Sequence, residues 1–340
     1  MNSIYRLNSA HFLAAFSLIL VAPIAQAQQT ITLLSDTWPP YINAPGQSKG
    51  SAAQLVEILF DFENIETQWH YSPYQLSYYQ VKQQRRVASF PYFKTAQRAK
   101  EVLFSKAVFS VTTKIYYNRE FNQTESANAA YENKSKLGRV AGYSYGETID
   151  QDVKNAKVFT TEVQALTALF NHEIDILPMT ESVMEYHLQH NFPLRKQLIL
   201  SLDNFQDTSS LHVIAAKNSQ GAAIIAKIDH ALTTLNEQGM SNLQGTNNDK
   251  PADIDVAKLI TTEGYPLITG QSSKDGNNIE YYTLPQGSKV LIVEWSHKIL
   301  TPSKTDRIYK NMMDLSKVVL LNGPHVGKEL YVRNMHIELQ

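Results

Sequence analysis

The 340-residue chain contains no cysteine. Disulfide staples are excluded, and so is the cysteine that lipid attachment would need. Stability must therefore come from burial. After the first 27 residues no stretch reaches about 18 uninterrupted apolar residues, which excludes an ordinary membrane-spanning helix. Net charge is also nearly missing, at −1, so the chain as a whole has no basic bias toward nucleic acid. Its short basic patches, Arg85-Arg86 and the stretch from Lys134 to Arg139, read as exposed surface. There is no internal repeat and no low-complexity tract.

The chain opens with an address label. Arg6 gives a positive start, Phe12 to Ile24 is mostly apolar, and Ala25-Gln26-Ala27 is a small-x-small cleavage site. Residues 1–27 read as a secretory signal peptide, which predicts a periplasmic protein beginning at Gln28. What remains is long enough for two or three domains.

Strand and helix patterns alternate from there. Ile31 to Leu34 is a short β-type run ending in Ser35-Asp36-Thr37-Trp38-Pro39-Pro40-Tyr41, where two prolines stop the strand. Leu55, Ile58, Leu59 and Phe62 fall at helical spacing. Strands are predicted at Trp69–Tyr71 and Val87–Phe90, with a helix at Tyr78–Gln84 between them. Val108 to Tyr117 should cross to a second lobe. That lobe alternates strands near 136–141, 158–159 and 173–178 with helices near 161–171 and 181–190. Leu211 to Lys217 is a return strand, and Ala222 to Gly239 an amphipathic helix. This alternation predicts an α/β fold with a mainly parallel sheet.

Beyond a polar linker the pattern changes. Short strands at 266–269, 289–295, 317–321 and 329–333 are punctuated by Asp275-Gly276, Pro285-Gln286-Gly287 and Gly323-Pro324. Such spacing predicts a small all-β barrel.

The stretch from Phe90 to Ser105, FPYFKTAQRAKEVLFS, joins a strand end, an aromatic loop and a short helix carrying Arg98. Together with the Pro-Pro-Tyr loop, it resembles the family 3 periplasmic solute-binding proteins, the amino-acid-binding type served by ABC importers. The resemblance runs in order from Gln28 to about Gly245. It implies a two-lobe periplasmic-binding-protein fold of type II. Lobe 1 would comprise 28–112 and 208–245, and lobe 2 residues 113–207. After a linker (246–262), the stretches Leu284–Val293 and Leu321–Val332 resemble a bacterial Src-homology-3-like domain, which implies such a barrel over 263–340.

The resemblance also implies a cleft. Arg98 would grip a ligand carboxylate, since a guanidinium offers a planar, permanently charged fork. Asp36, Trp38, Tyr41, Phe90 and Tyr92 would line the first lobe's mouth, beyond the carboxyl ends of the strands. Tyr145, Thr148 and Glu181 would close from the second lobe. The chain departs from the family at Phe90, Pro91 and Phe93, where small hydroxyl residues are usual. Thr180 stands where an aspartate usually meets the ligand's amino group. A carboxylate with an apolar or ring-bearing body is the expected solute. An ABC permease, a membrane sensor and a cell-wall component are the partners left open. No cofactor and no metal are expected: His187, His190 and Glu185 share a helix but no second ligand cluster is visible.

Two rival functions remain. One is an envelope interaction protein whose cleft has lost its ligand. The other is a serine hydrolase, because Gly142-Tyr143-Ser144-Tyr145-Gly146 is a G-x-S-x-G pattern, with Asp175 and His212 in a suitable order downstream.

Overall fold

The computed structural model describes residues 29–237, 255–262, 264–275, 278–296 and 312–339. The expected signal peptide and residues 246–254 of the expected linker lie outside the described residues. β1 (Gln29–Ser35) pairs in parallel with β2 (Ile65–Tyr71) and β3 (Ala88–Phe93). Its residues alternate between two cores. Ile31 and Leu33 face the cluster that includes α1 (Ser51–Phe62) and α8 (Ser219–Glu237). Leu34 faces the other side, with Val81 of α2 (Tyr74–Lys82) and Tyr92. This two-residue period is what a strand buried on both faces requires.

The start of α1 fixes the first cleft loop. Ala52 and Ala53 donate backbone N–H bonds to the Tyr41 carbonyl, at 3.0 and 3.2 Å. Gly50 precedes the helix at φ +86°, and a Cβ there would stand 2.6 Å from that carbonyl oxygen. Only glycine satisfies both the left-handed backbone and the close approach.

Two strands carry the chain between lobes. β5 (Phe109–Asn118) runs antiparallel to β9, which extends over Ile199–Ala215. β9 also pairs with β3 and with β4 (Leu103–Phe104), so one strand belongs to both lobes. The sheet order is β2-β1-β3-β9-β5-β8, with β8 at Leu177–Thr180. Lobe 2 adds β6 (Gly138–Val140), β7 (Lys157–Phe159) and helices α4 (Thr124–Glu132), α5 (Glu147–Asp152), α6 (Glu162–Phe170) and α7 (Glu181–His190). The short α3 (Ala96–Glu101) follows β3 and carries Arg98.

The C-terminal part is a separate seven-stranded, all-antiparallel sheet. Its strands are β10 (Val256–Leu259), β11 (Ile268–Gln271), β12 (Tyr281–Leu284), β13 (Lys289–Glu294), β14 (Leu315–Leu320), β15 (Glu329–Arg333) and β16 (Ile337–Leu339). Val256–Leu259 reads as linker in the sequence, yet it pairs with both β13 and β16. Val290, Val318 and Leu320 fill this sheet's own core. Their neighbours Leu291, Val319 and Leu321 point the other way and join the large cluster that contains α1.

That docking is reinforced by Lys289 Nζ, 2.7 Å from Asp61 Oδ2 near the end of α1. Asp61 is buried, and desolvation holds its carboxyl above the usual range despite the lysine. Lys289→Ala would leave that carboxyl without its charged partner. It should cost about 1–3 kcal/mol in urea denaturation. A change within experimental error would show that the β unit does not bear on lobe 1 through this pair.

Candidate ligand-binding cleft

The cleft is built from loops at strand ends of both lobes. Asp36 follows β1 and acts as a brace: Oδ1 accepts the Thr37 N–H at 2.8 Å and Oδ2 the Tyr74 N–H at 3.0 Å. It thereby ties the loop after β1 to the start of α2. Trp38 lies against Tyr41, with ring centroids 4.7 Å apart, and Tyr41 continues to Phe109 at 5.4 Å. From lobe 2 come Tyr143, Ser144 and Tyr145, on the turn before α5, and Thr180 at the end of β8. A small cavity lies between them, lined from lobe 1 by Trp38, Tyr74 and Phe93 and from lobe 2 by Tyr143, Tyr145 and Thr180. It measures about 30 Å³, room for roughly two waters and too little for a ring.

The expected site residues distribute unevenly around it. Asp36, Trp38 and Tyr145 line it. Tyr41, Phe90 and Tyr92 do not; all three are fully buried in lobe 1. A register shift between Ser89 and Tyr92 in the β3–β9 pairing breaks the strand's alternation. Phe90 therefore joins the α1 side of the sheet and Tyr92 the α2 side. Pro91 and Phe93 reach the cavity instead. Thr148 is exposed on α5. Glu181 pairs with Lys114 on β5, and its neighbour Thr180 lines the cavity. Tyr74 was not singled out from the sequence. Its signal is the Ser72-Pro73 break, which ends β2 and starts a helix where other cleft loops lie.

Arg98 is positioned by a cap. Thr95 Oγ1 accepts the Arg98 N–H at 3.2 Å and starts α3. The guanidinium lies 5.8–6.0 Å from the ring centroids of Tyr74, Tyr78 and Tyr92. Nη1 donates to the Phe93 carbonyl at 3.1 Å. Nη2 donates across the cleft to the Gly142 carbonyl at 3.3 Å. Gly142 has φ +77°, and a Cβ there would collide with Gln75 of α2, 2.6 Å away. Tyr74 and Tyr143 meet edge to face at 5.9 Å. These contacts join the lobes.

The surrounding phenols stay neutral. Burial pushes Tyr74, Tyr92, Tyr143 and Tyr145 upward, opposed at Tyr74 by Arg98 and reinforced at Tyr143 by Glu162. They serve as donors: Tyr74 to the Pro91 carbonyl at 2.6 Å, and Tyr143 to Glu162.

The hydrolase arrangement is not assembled. The Ser144 hydroxyl donates to Asp150, which also accepts the Tyr145 N–H at 2.8 Å. Asp175 is held by His172 at 2.9 Å and Asn122 at 3.3 Å. His212 Nδ1 donates to the Ser105 carbonyl at 2.8 Å. Serine, acid and histidine thus each have other partners. Among the described residues, no group of three His, Asp or Glu side chains forms a metal site. None of their helices is long and apolar enough to cross a membrane.

His212 is buried on β9, and desolvation depresses its pKa, with Lys94 acting the same way. The Ser105 and Lys106 carbonyls and Asp229 oppose the shift. The unfolded imidazole gains its proton below about pH 6.5 while the folded one resists it. The unfolded state then binds more protons, so stability falls as pH drops through that range. Tm should be lower at pH 5.5 than at 7.5, and His212→Gln should reduce the difference. An equal pH dependence in the variant would rule out a buried neutral imidazole here.

No family model and no curated protein matches the chain. Solved structures do. One is an ABC uptake transporter substrate-binding protein from Streptococcus pneumoniae with bound histidine. It is 18% identical with a TM-score of 0.52, covering 66% of this chain and 95% of that one. A second is the arginine-, lysine-, histidine-binding protein ArtJ from Geobacillus stearothermophilus. It is 16% identical with a TM-score of 0.52, covering 62% and 90%. A third is a histidine kinase sensor domain with similarity to periplasmic binding proteins. It is 15% identical with a TM-score of 0.54, covering 62% and 92%. At such identities the likeness establishes architecture: the chain has the two-lobe periplasmic-binding-protein fold, followed by a small antiparallel β unit.

Proposed function

We propose that the chain is a periplasmic solute receptor that closes its lobes on a small, ring-bearing carboxylate, for uptake or sensing. The observation that carries this reading is the cavity between the lobes, walled by aromatic side chains from both of them. Aromatic faces placed on opposite sides of a closing cleft can sandwich a flat or apolar ligand body. The neighbouring structures with bound histidine and the basic-amino-acid-binding ArtJ support solute binding in this fold.

Arg98 supplies the polar end. Its bond to the Gly142 carbonyl spans the lobes and must break when they part. A carboxylate entering the open cleft replaces that carbonyl and gains a charge-assisted, two-pronged pair. Trp38, Tyr74, Phe93, Tyr143 and Tyr145 hold the ligand body. No residue performs covalent chemistry. Closure turns ligand energy into lobe rotation about the β5–β9 ribbon. The β unit, whose stretches Leu284–Val293 and Leu321–Val332 resemble bacterial Src-homology-3-like domains, would address an ABC permease, a membrane sensor or a wall component.

One observation favours the rival, an envelope protein with a degenerate cleft: the aromatic rings already leave only about 30 Å³ between them. A thermal-shift panel of amino acids, organic acids, peptides and wall fragments separates the two. A true ligand at 100 times its Kd should stabilise by about 2.7 kcal/mol. Arg98→Ala should abolish the shift, and Arg98→Lys should weaken binding about tenfold or more because the fork is lost. No shift with any compound supports the degenerate cleft. Unchanged affinity in the Arg98 variants removes the arginine from the site.

A further inference from the structure

The outer face of the β unit is only partly covered. On β13 and β14, Leu291, Val319 and Leu321 point away from the unit's own core and join the cluster around α1, beside the Lys289–Asp61 pair. By strand alternation Leu315 of β14 lies on this same face. So do Arg333 of β15, which stands opposite Leu315, and Gln271 and Tyr281, which pair on β11 and β12. Here the face carries a cavity of about 440 Å³, a volume in the range of ligand sites. These four residues line it together with Tyr265 and Leu267 of the loop before β11. Leu267 is 67% exposed and Tyr281 65%, so large apolar side chains stand uncovered around the opening.

The cavity adjoins an open strand edge. β12 ends the sheet order and pairs with β11 alone. Among the described residues, no backbone hydrogen bond leaves Tyr281–Leu284 on the other side. Its sequence, Tyr-Tyr-Thr-Leu, has none of the charges or prolines that blunt an edge, whereas β16 at the opposite edge carries Glu338. The charge of the face is one-sided as well. Lys289 and Lys317 are paired with Asp61 and Glu329. Arg333 is exposed and has no ion pair among the described residues, and no described carboxylate lines the cavity.

We infer that this face docks an extended acidic segment of another protein, which adds a strand to β12 and gives a carboxylate to Arg333. Its apolar side chains settle against Tyr265, Leu267 and Tyr281. The open edge calls for an extended backbone, and the unpaired guanidinium selects an acidic one. The site continues the face that already docks on α1, so a bound segment lies beside lobe 1. The inference names the class of partner that the proposed function leaves open for the β unit. It rests on that unit alone and not on a solute in the cleft.

The test is a display selection of random dodecapeptides on the full chain. Selected peptides should carry an acidic residue among β-branched or aromatic ones. The best binder is then compared with its amide counterpart, in which Asp and Glu are replaced by Asn and Gln. The wild-type chain should favour the acidic form by about fivefold, and Arg333→Gln should erase that preference. Binding should also slow hydrogen exchange at the β12 amides. A selection without binders overturns the proposal, and so do binders that lack acidic residues. A preference that survives in Arg333→Gln, or unchanged exchange in β12, overturns it too. Self-association of the wild type that Tyr281→Lys abolishes would seat a second copy on this edge instead. The acid–amide comparison on the wild type is decisive even if a variant folds poorly. None of these results bears on the solute panel, so the receptor reading stands or falls separately.

Discussion

The pairing of β5 with β9 is the constraint on which the rest of the structure depends. Ten residues of β5 are matched along β9, and the first-lobe end of β9 continues into pairing with β3. At the middle of this ribbon the partners are hydroxyls. Ser110 meets Ser210 at 3.1 Å and Thr112 meets Thr208 at 3.0 Å. Between these pairs Val111 is buried in the main cluster while its partner on β9 is Ser209, so the apolar packing of this stretch comes from β5 alone. Both the small cavity of the cleft and a second one beside it take residues from β9: Leu211 in the first, and Asp207, Ser209, Ser210 and His212 in the second. In the proposed receptor, a hinge that is also a wall would link rotation to recognition.

The aromatic contacts across the cleft and the Arg98–Gly142 bond act against that freedom. They give the closed arrangement interactions of its own, which a solute would have to exceed to be bound in the proposed receptor. Such competition sets apparent affinity, because binding is reduced by the fraction of molecules held out of the competent state. The same contacts explain why Arg98 is half-buried among three tyrosines. A guanidinium is weakly hydrated and stacks well on ring faces, which an ammonium does not do equally.

Much of this fold is legible in the sequence. Leu55, Ile58, Leu59 and Phe62 sit at helical spacing and do lie on a helix. The 181–190 helix appears with the expected ends. The long β9 does not stand out, because Asp203 to Ser210 is polar and reads as loop; its strand character comes from pairing with β5 and not from apolar alternation. The α/β alternation and the change to short antiparallel strands after residue 255 were readable, whereas β10, β12 and β16 are too short to announce themselves. Around the cleft, the loop after β1 is visible as a motif, and so is Arg98, which lines neither cavity and instead bonds across to the Gly142 carbonyl. Phe90 and Tyr92 mislead, since a register shift that no local pattern marks sends them to opposite cores. Asp207 draws no attention in the sequence; the structure brings it against the turn at Gly146 and into the wall of the second cavity.

The central claim, that these lobes open and close on a solute, can be measured directly because the chain has no cysteine of its own. Tyr79 on α2 and Gln151 on α5 are exposed and lie on opposite lobes. Spin labels on the pair Tyr79→Cys and Gln151→Cys report the lobe separation by pulsed electron resonance. The account predicts a distribution containing a longer, open distance, which collapses to the shorter one when L-phenylalanine is added. A single distance that L-phenylalanine leaves unchanged would contradict it.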